Sequence, residues 1–583
     1  MLLRLGRMSI TWQRILLIAG CAVLFGLWLS HVPLTEIDEA RFTEATREML
    51  ATGDYLIPHF NGHPRYQKPI LYYWIQAGSM RLFGVNETAA RLPSAVAALL
   101  TVLLVHAFLL RWLVPRTDPD PDRVQAGRGA AFLGAAALAI MPLTAIWAHA
   151  AVTDPTLTLF ITGALLALLQ AELETGQAAS ARPRRWYLAA AACMALAFLT
   201  KGPIGVALPA AAWIVYHLSR RTLGSTARML PWVGSIAVFL LIALPWYYAV
   251  YRLDPAFLKH FFLTENMERF TSVMDDHGFN NPLVGQLFYP LVSLPLLFPA
   301  SAFLVHDLIA PTRPDTVPLD AGVFSRLRRF GWSWIAAMMV VFNLSQTKLP
   351  HYIQPLIAAA AILYALHLLG RRHPPDSSTR RQRWARGTTL FLLALFGVLC
   401  SAGPAVILRR GSVPGPLGSL PFPPAAAQAV FILLVVCGGL FLLGLVAGAA
   451  RKRPLLLAGW AMAAWTGLLF VLILGLAPLV VRSQYGRSAA IGQYLATLPA
   501  GPILCYTKNA SESLVFYARC PIGIHVNDSR RAKARFRARL AQLPQAVVVT
   551  DRDGLAELRS FLTVSKLRAF GPCTVAGVRH PAR

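Results

Sequence analysis

Acidic residues are scarce in this chain. It holds 27 Asp and Glu against 55 Lys and Arg in 583 residues, a formal charge of +28, and only 14% of positions are charged. Soluble domains carry about a quarter charged residues, so an ordinary soluble domain is excluded. Lysine is rarer still, with eight in the whole chain. There are seven cysteines. Cys21, Cys193, Cys400 and Cys437 fall in apolar runs and read as filler. Cys505, Cys520 and Cys573 lie near the C-terminus without metal-site spacing; one disulfide and one thiol are expected among them. No internal repeat marks the two halves of a transporter.

Apolar sequence is abundant, at 56% of residues. Runs near 20 residues recur, each long enough to cross a hydrocarbon core of about 30 Å. Thirteen spans are expected, at 15–32, 93–112, 129–147, 155–172, 185–200, 203–218, 231–250, 283–305, 332–346, 350–369, 388–408, 425–449 and 455–480. The fold class is thus an α-helical polytopic membrane protein. The first run follows Arg4, Arg7 and Arg14 and reads as an uncleaved helix, because many more spans follow it. With the N-terminus in the cytoplasm, the cytoplasmic segments hold 26 of the Lys and Arg residues. That bias follows the positive-inside rule, with Arg409 and Arg410 as exceptions.

Three segments then share the external face. Segment 33–92 is too polar to span, and REMLATGDYL and KPILYYWIQAGSMRLFG within it read as amphipathic helices lying along the interface. Segment 251–282 is the second. The third is the tail, 481–583, set off from a transmembrane domain over 1–480. The tail alternates expected strands (GPILCYT, QAVVVTD, CTVAGVR) with expected helices (SAAIGQYLATL, ASESLVFYA, RRAKARFRARLAQL), which indicates a small α/β domain. Residues 482–583 carry 16 Lys or Arg and 5 Asp or Glu. Such charge draws the domain toward anionic headgroups, or simply solvates it.

In a chain so poor in acids, Glu36, Asp38 and Glu39 follow directly after the first apolar run. Thr35-Glu36-Ile37-Asp38 has the form of a capping box, which gives the acids a purely local use. Other ionisable residues gather on the same face, however, and such groups at membrane depth are costly and point to function. Lys68 (RYQKPILYYW), Lys201 (LTKGP) and Lys348 (QTKLPHYIQP) each precede a proline within two residues at an external span end. Any one of them could snorkel to the headgroups; three in similar surroundings suggest a cationic site. Asp154, in TDP, opens an expected span and also fits an N-cap before Pro155. Arg41 shares a helical face with Asp38, and His351 and Tyr352 follow Lys348. Fixed cations beside carboxylates suit a lipid-linked phosphate. Lysine and arginine stabilise charge growing on a phosphate leaving group, and a carboxylate deprotonates or orients the attacking group.

The run DEARFTEATREMLATGDYLIPHFNGHPRYQKPILYYW, with TDP, LTKGP, PWY, HFFLTENMERF and KLPHYIQP after it, resembles the bacterial members of the protein O-mannosyltransferase superfamily over about residues 1–370. The resemblance implies the GT-C fold and a lipid-linked glycosyltransferase. It is greatest to the branch that moves 4-amino-4-deoxy-L-arabinose from undecaprenyl phosphate to a lipid A phosphate in the periplasmic leaflet of the bacterial inner membrane, giving polymyxin resistance. By position, Asp38 and Glu39 match the family's acidic motif, with Asp38 as the essential carboxylate, and Asp154 matches its second acidic position. Lys68 matches the lysine that holds the carrier phosphate, with Arg41 and Tyr66 assisting; Lys201, Lys348, His351 and Tyr352 complete the expected substrate site. The chain departs at Gln67, where enteric members carry an acid. A divalent cation is the one cofactor left open, and its binding through that acid is put in doubt; His260, Glu265, Asp275 and His277 are the alternative ligands. The expected partners are a polyprenyl-phosphate-linked sugar, lipid A and membrane lipids, not nucleic acid, with the chain a monomer. Two other readings stay open: a sister transferase with a protein or glycan acceptor, and a lipid or ion transporter.

Overall fold

The computed structural model describes residues 2–27, 29–30, 32–115, 120–174, 182–268, 282–312, 317, 319–370, 379–414, 419–450, 454–507, 511–526 and 530–579. Each of the thirteen expected spans overlaps a helix among the described residues. Among the described residues, seven helices are long and apolar enough to cross a membrane: Glu87–Leu113, Asp154–Glu174, Trp232–Leu253, Pro350–Gly370, Arg380–Arg409, Pro424–Val446 and Met462–Leu495. The expected span 283–305 is not straight. Val284–Leu296 and Ala300–Ile309 meet at 119°. Pro295 and Pro299 lie at the break, where proline removes a backbone donor and ends the helix. The other five expected spans map to Ile10–Gly26, Pro121–Ala139, Arg182–Lys201, Ile204–Arg220 and Ala321–Leu344, which are shorter or carry more charge.

The interfacial segment folds as two helices, Asp38–Thr52 and Leu71–Phe83, joined across a short hairpin of β1 (His59–Phe60) and β2 (His63–Pro64). Both helices bury one face in an aromatic cluster built on Phe42, Tyr72 and Tyr73. Trp246 and Tyr247 of helix Trp232–Leu253 complete it with Phe257 and Phe261 of the segment that follows. Gly202, between helices Arg182–Lys201 and Ile204–Arg220, takes a φ of +78°, and a Cβ there would come within 2.5 Å of the Phe261 ring. Only glycine combines that turn with that approach.

The tail is a mixed α/β domain. Five strands, β3 (Ile503–Thr507), β4 (Gly523–Val526), β5 (Gln545–Thr550), β6 (Thr563–Phe570) and β7 (Cys573–Arg579), form a sheet in the order β4-β3-β5-β7-β6. The first three are parallel and the β5–β7–β6 part is antiparallel. Side chains alternate across the sheet. Ile503 and Cys505 pack with Leu514 and Val575 on one face, and Leu504 and Tyr506 pack with Phe536 and Leu540 on the other. β4, of four residues, and the largely exposed β6 are not among the expected strands. The stretch SAAIGQYLATL is not a separate tail helix: it is the end of Ala477–Leu495, which runs on from the last span through the expected boundary at 480.

The expected disulfide is absent: the seven cysteines form none. β3 and β7 flank β5 on opposite sides. Cys505 lies level with Val575, so two strand spacings and a two-residue offset set Cys505 and Cys573 about 12 Å apart, beyond the reach of about 7 Å between bridged Cα atoms. Cys520 lies on the loop before β4. Denatured, unreduced protein is therefore expected to present seven thiols to an alkylating reagent; five would mean that a disulfide forms.

Candidate active site: a two-lobed cavity between the interfacial helices and the spans

The three acids have three different tasks. Glu39 is 2% exposed. Its carboxylate accepts from Arg91 Nε and Nη2 at 2.6 and 2.9 Å, from the Ala151 N–H at 2.9 Å, and from the Thr35 N–H at 2.8 Å. Burial pushes the Glu39 carboxyl upward; the Arg91 guanidinium and these donors outweigh it and hold the carboxyl below the ordinary range. The rest of Arg91 donates to the carbonyls of Leu29, Val32 and Pro33. Arg91, which the sequence reading passed over, thus fastens the chain entering the interfacial helix. Thr35 caps through Glu39 rather than Asp38, so the capping box expected from spacing is displaced by one residue.

Glu36 turns to the tail. Its carboxylate accepts from the Ser511 and Ser513 hydroxyls at 2.8 and 2.7 Å and from the Glu512 N–H at 2.8 Å. Arg41 forms a bidentate ion pair with Glu512. Tyr517 donates to Glu87 at 2.9 Å and accepts from the Leu34 N–H, while Asn61 exchanges two hydrogen bonds with Ile522. The tail is therefore fixed to the interfacial segment at both of its ends.

Asp38 is exposed in the first turn of its helix. It faces a cavity of about 700 Å³ that is also lined by Glu36, Arg41, Arg65, Lys68, Asp154 and His351. A smaller lobe of about 130 Å³ is lined by Lys201, Asn266, Thr347 and Tyr352. Gln67, Lys68, Asp154 and Glu265 face both lobes. Asp154 begins helix Asp154–Glu174 and turns its carboxylate to Lys201 Nζ at 2.7 Å, instead of serving as the N-cap. Lys201 also lies 5.0 Å from the centroid of the Tyr352 ring, and His351 packs on Trp147 at 5.3 Å.

Two expected residues point elsewhere. Lys348 Nζ donates to the carbonyls of Phe342, Asn343 and Ser345 at 3.3, 2.7 and 2.5 Å. It caps the end of helix Ala321–Leu344, a use that a cation meets well because helix C-termini carry partial negative charge. The cluster of three lysines is therefore two. Tyr66 donates to Asp254 at 2.5 Å, which pushes its phenol up to about 12, and it lines neither lobe. Its neighbour Arg65, not singled out from sequence, lines the larger lobe. Arg65 is held by Tyr73 at 2.9 Å and by the face of Phe42 at 4.9 Å.

Among the described residues no three His, Cys, Asp or Glu side chains are arranged to hold a metal ion. His260 Nε2 and Glu265 Oε1 lie 3.7 Å apart, and Asp275 and His277 fall outside the described residues. His260 and Glu265 alone are too few ligands for a divalent cation.

Cations and carboxylates converging at one end of a helical bundle, under amphipathic interfacial helices, define a membrane enzyme that handles phosphate on a lipid. The chain matches the dolichyl-phosphate-mannose-protein mannosyltransferase family over residues 67–248. An uncharacterized protein of Aquifex aeolicus is 31% identical over 64% of this chain and 76% of its own. The undecaprenyl phosphate-alpha-4-amino-4-deoxy-L-arabinose arabinosyl transferase of Pseudomonas paraeruginosa is 31% identical over 66% of this chain. The match spans 64% of that enzyme's length. The crystal structure of ArnT from Cupriavidus metallidurans bound to undecaprenyl phosphate superposes with a TM-score of 0.74 across 98% of each chain, at 23% identity, and so shares the fold. The chain belongs to one family with the Aquifex aeolicus protein, and its residues 67–248 match the mannosyltransferase family.

Proposed function

We propose that this protein moves 4-amino-4-deoxy-L-arabinose from undecaprenyl phosphate to a lipid A phosphate. In this reading it sits as a monomer in the bacterial inner membrane, with the cavity and tail in the periplasm. The observation that carries this reading is the convergence of Lys68 and Arg65 with Asp38 in one cavity of about 700 Å³. The arabinosyl transferases of similar sequence supply the sugar and the carrier. In the reaction the bond between the anomeric carbon and the carrier phosphate oxygen breaks, and an acceptor oxygen bonds to that carbon. Lys68 and Arg65 take up the charge that grows on the departing phosphate. A phosphate monoester has a second pKa of about 6, so a lipid A phosphate is largely ionised at neutral pH and needs little help from a base. Asp38 then orients the acceptor or pairs with the donor's ammonium group. Glu39 acts indirectly, by fixing the helix that presents Asp38.

The test is mass spectrometry of lipid A from a Gram-negative strain that makes the donor but lacks its own transferase. Aminoarabinose added by the intact chain, and not by Asp38→Asn, supports the assignment. Unmodified lipid A despite good membrane expression overturns it, leaving a sister transferase that acts on a protein or glycan. The lysines give a second contrast. Lys68→Met is expected to lower transfer by about 10²-fold or more, the usual cost of one lost charge-stabilising donor. Lys348→Met is expected to lower stability by about 1 kcal/mol through the lost helix cap, with turnover of the folded fraction near parental. Equal losses of turnover in the two variants would return Lys348 to the substrate site.

A further inference from the structure

Helices Ile204–Arg220 and Ala321–Leu344 pack along one another. At one end Ile204, Leu208, Val341 and Phe342 line the smaller lobe of the candidate site. At their other ends a separate cavity of about 460 Å³ opens, lined by Ser219, Thr312, Ser325, Arg328, Arg329 and Trp332. A helix of 17 residues spans about 25 Å, so this cavity belongs to the opposite face of the membrane.

Its two arginines differ. Arg328 is committed: its Nε and Nη2 meet Asp307 Oδ2 at 3.1 and 2.9 Å. Asp307 is filled as well, accepting from the Thr312 N–H at 2.8 Å and the Trp332 indole at 3.4 Å. Arg329 is exposed and donates to the carbonyl of Ser219 at 3.2 Å, with no carboxylate partner among the described residues. A carbonyl orients a guanidinium without neutralising it. The cavity therefore holds a fixed positive charge, with the Ser325 hydroxyl and a tryptophan beside it. It lies where basic segments meet the headgroups, and tryptophan favours that depth. Basic pockets between spans suit anionic headgroups, and the volume exceeds that of a bare oxyanion.

We propose that this cavity binds the headgroup phosphate of an anionic phospholipid in the leaflet opposite the candidate site. Arg329 pairs with a phosphate oxygen, the Ser325 hydroxyl donates to another, and Trp332 flanks the glycerol and the first acyl carbons. Binding here is independent of the sugar and acceptor assigned above.

Native mass spectrometry of the full chain in mild detergent tests this, with phosphatidylglycerol, phosphatidylethanolamine or inorganic phosphate added in turn. One phosphatidylglycerol per chain is expected above the phosphatidylethanolamine background. Occupancy should fall about tenfold in Arg329→Gln, the loss of one charge-assisted contact, and recover in Arg329→Lys. Ser325→Glu, an exposed change that places a negative charge in the cavity, should expel the lipid while Arg329 stays. Arg409→Gln, far along the chain, should leave occupancy unchanged. Equal retention of both lipids, indifference to Arg329→Gln and Ser325→Glu, or displacement of the lipid by inorganic phosphate would each overturn the proposal.

Discussion

Asp38→Asn is expected to lower transfer by about 10²–10⁴-fold while leaving the fold and the affinity for the donor lipid near parental values. Asp38 is exposed at the first turn of its helix and faces the larger lobe. Its neighbours Glu36, Glu39 and Arg41 are held by other partners, so the carboxylate presented to the cavity by this turn is its own. For a phosphate acceptor the parental rate should not follow the ionisation of a single carboxylate, since the acceptor is already charged. Rates measured across pH in parent and variant decide this. A parental profile rising with one carboxylate pKa would make Asp38 a general base and favour a hydroxyl acceptor. A variant with near-parental turnover would remove Asp38 from the reaction.

Breaking the Glu39–Arg91 pair is expected to cost about 3–5 kcal/mol, because the remaining charge stays buried without its counterpart. Arg91→Leu should be the worse variant, since it also strands the carbonyls of Leu29, Val32 and Pro33. Glu39→Gln keeps the shape and removes only the charge. The Glu39 carboxyl lies below its ordinary value in the fold, so its contribution is present at neutral pH and down to the ordinary range of about 4.3. It is lost as pH falls further, through the folded value. Thermal melts in detergent should show parent above Glu39→Gln at neutral pH, with the gap closing in acid. A gap that persists in acid, or none at neutral pH, would show that the pair does not hold the segment.

How far the sequence could be read depended on how local each residue's partner is. The interfacial helices were legible because their apolar faces repeat at helical spacing beside a membrane. Lys68, Lys201, Asp38 and Asp154 were legible because charge is rare in such a chain and its position carries information. Lys348 has the same surroundings in sequence as Lys201, yet it serves a helix end; what decides is where helix Ala321–Leu344 stops, and that is set by packing. Arg91 looked like the border of a span, because its carboxylate partner is 52 positions away. Ser511, the partner of Glu36, is 475 positions away, and no spacing rule reaches so far. In the tail, β3, β5 and β7 announced themselves by runs of apolar residues, whereas the edge strand β6 is exposed on most of its length and half polar, and resembles a loop.

The contacts of Glu36 and Arg41 with residues 511–513 bear on how members of this family can be recombined. Both residues line the cavity, and both are held by the tail. A chimera that replaces residues 481–583 alone would join a foreign tail to a native cavity wall and leave one carboxylate and one guanidinium unmatched. The transplantable module is discontinuous: the tail together with the turn that carries Glu36 and Arg41.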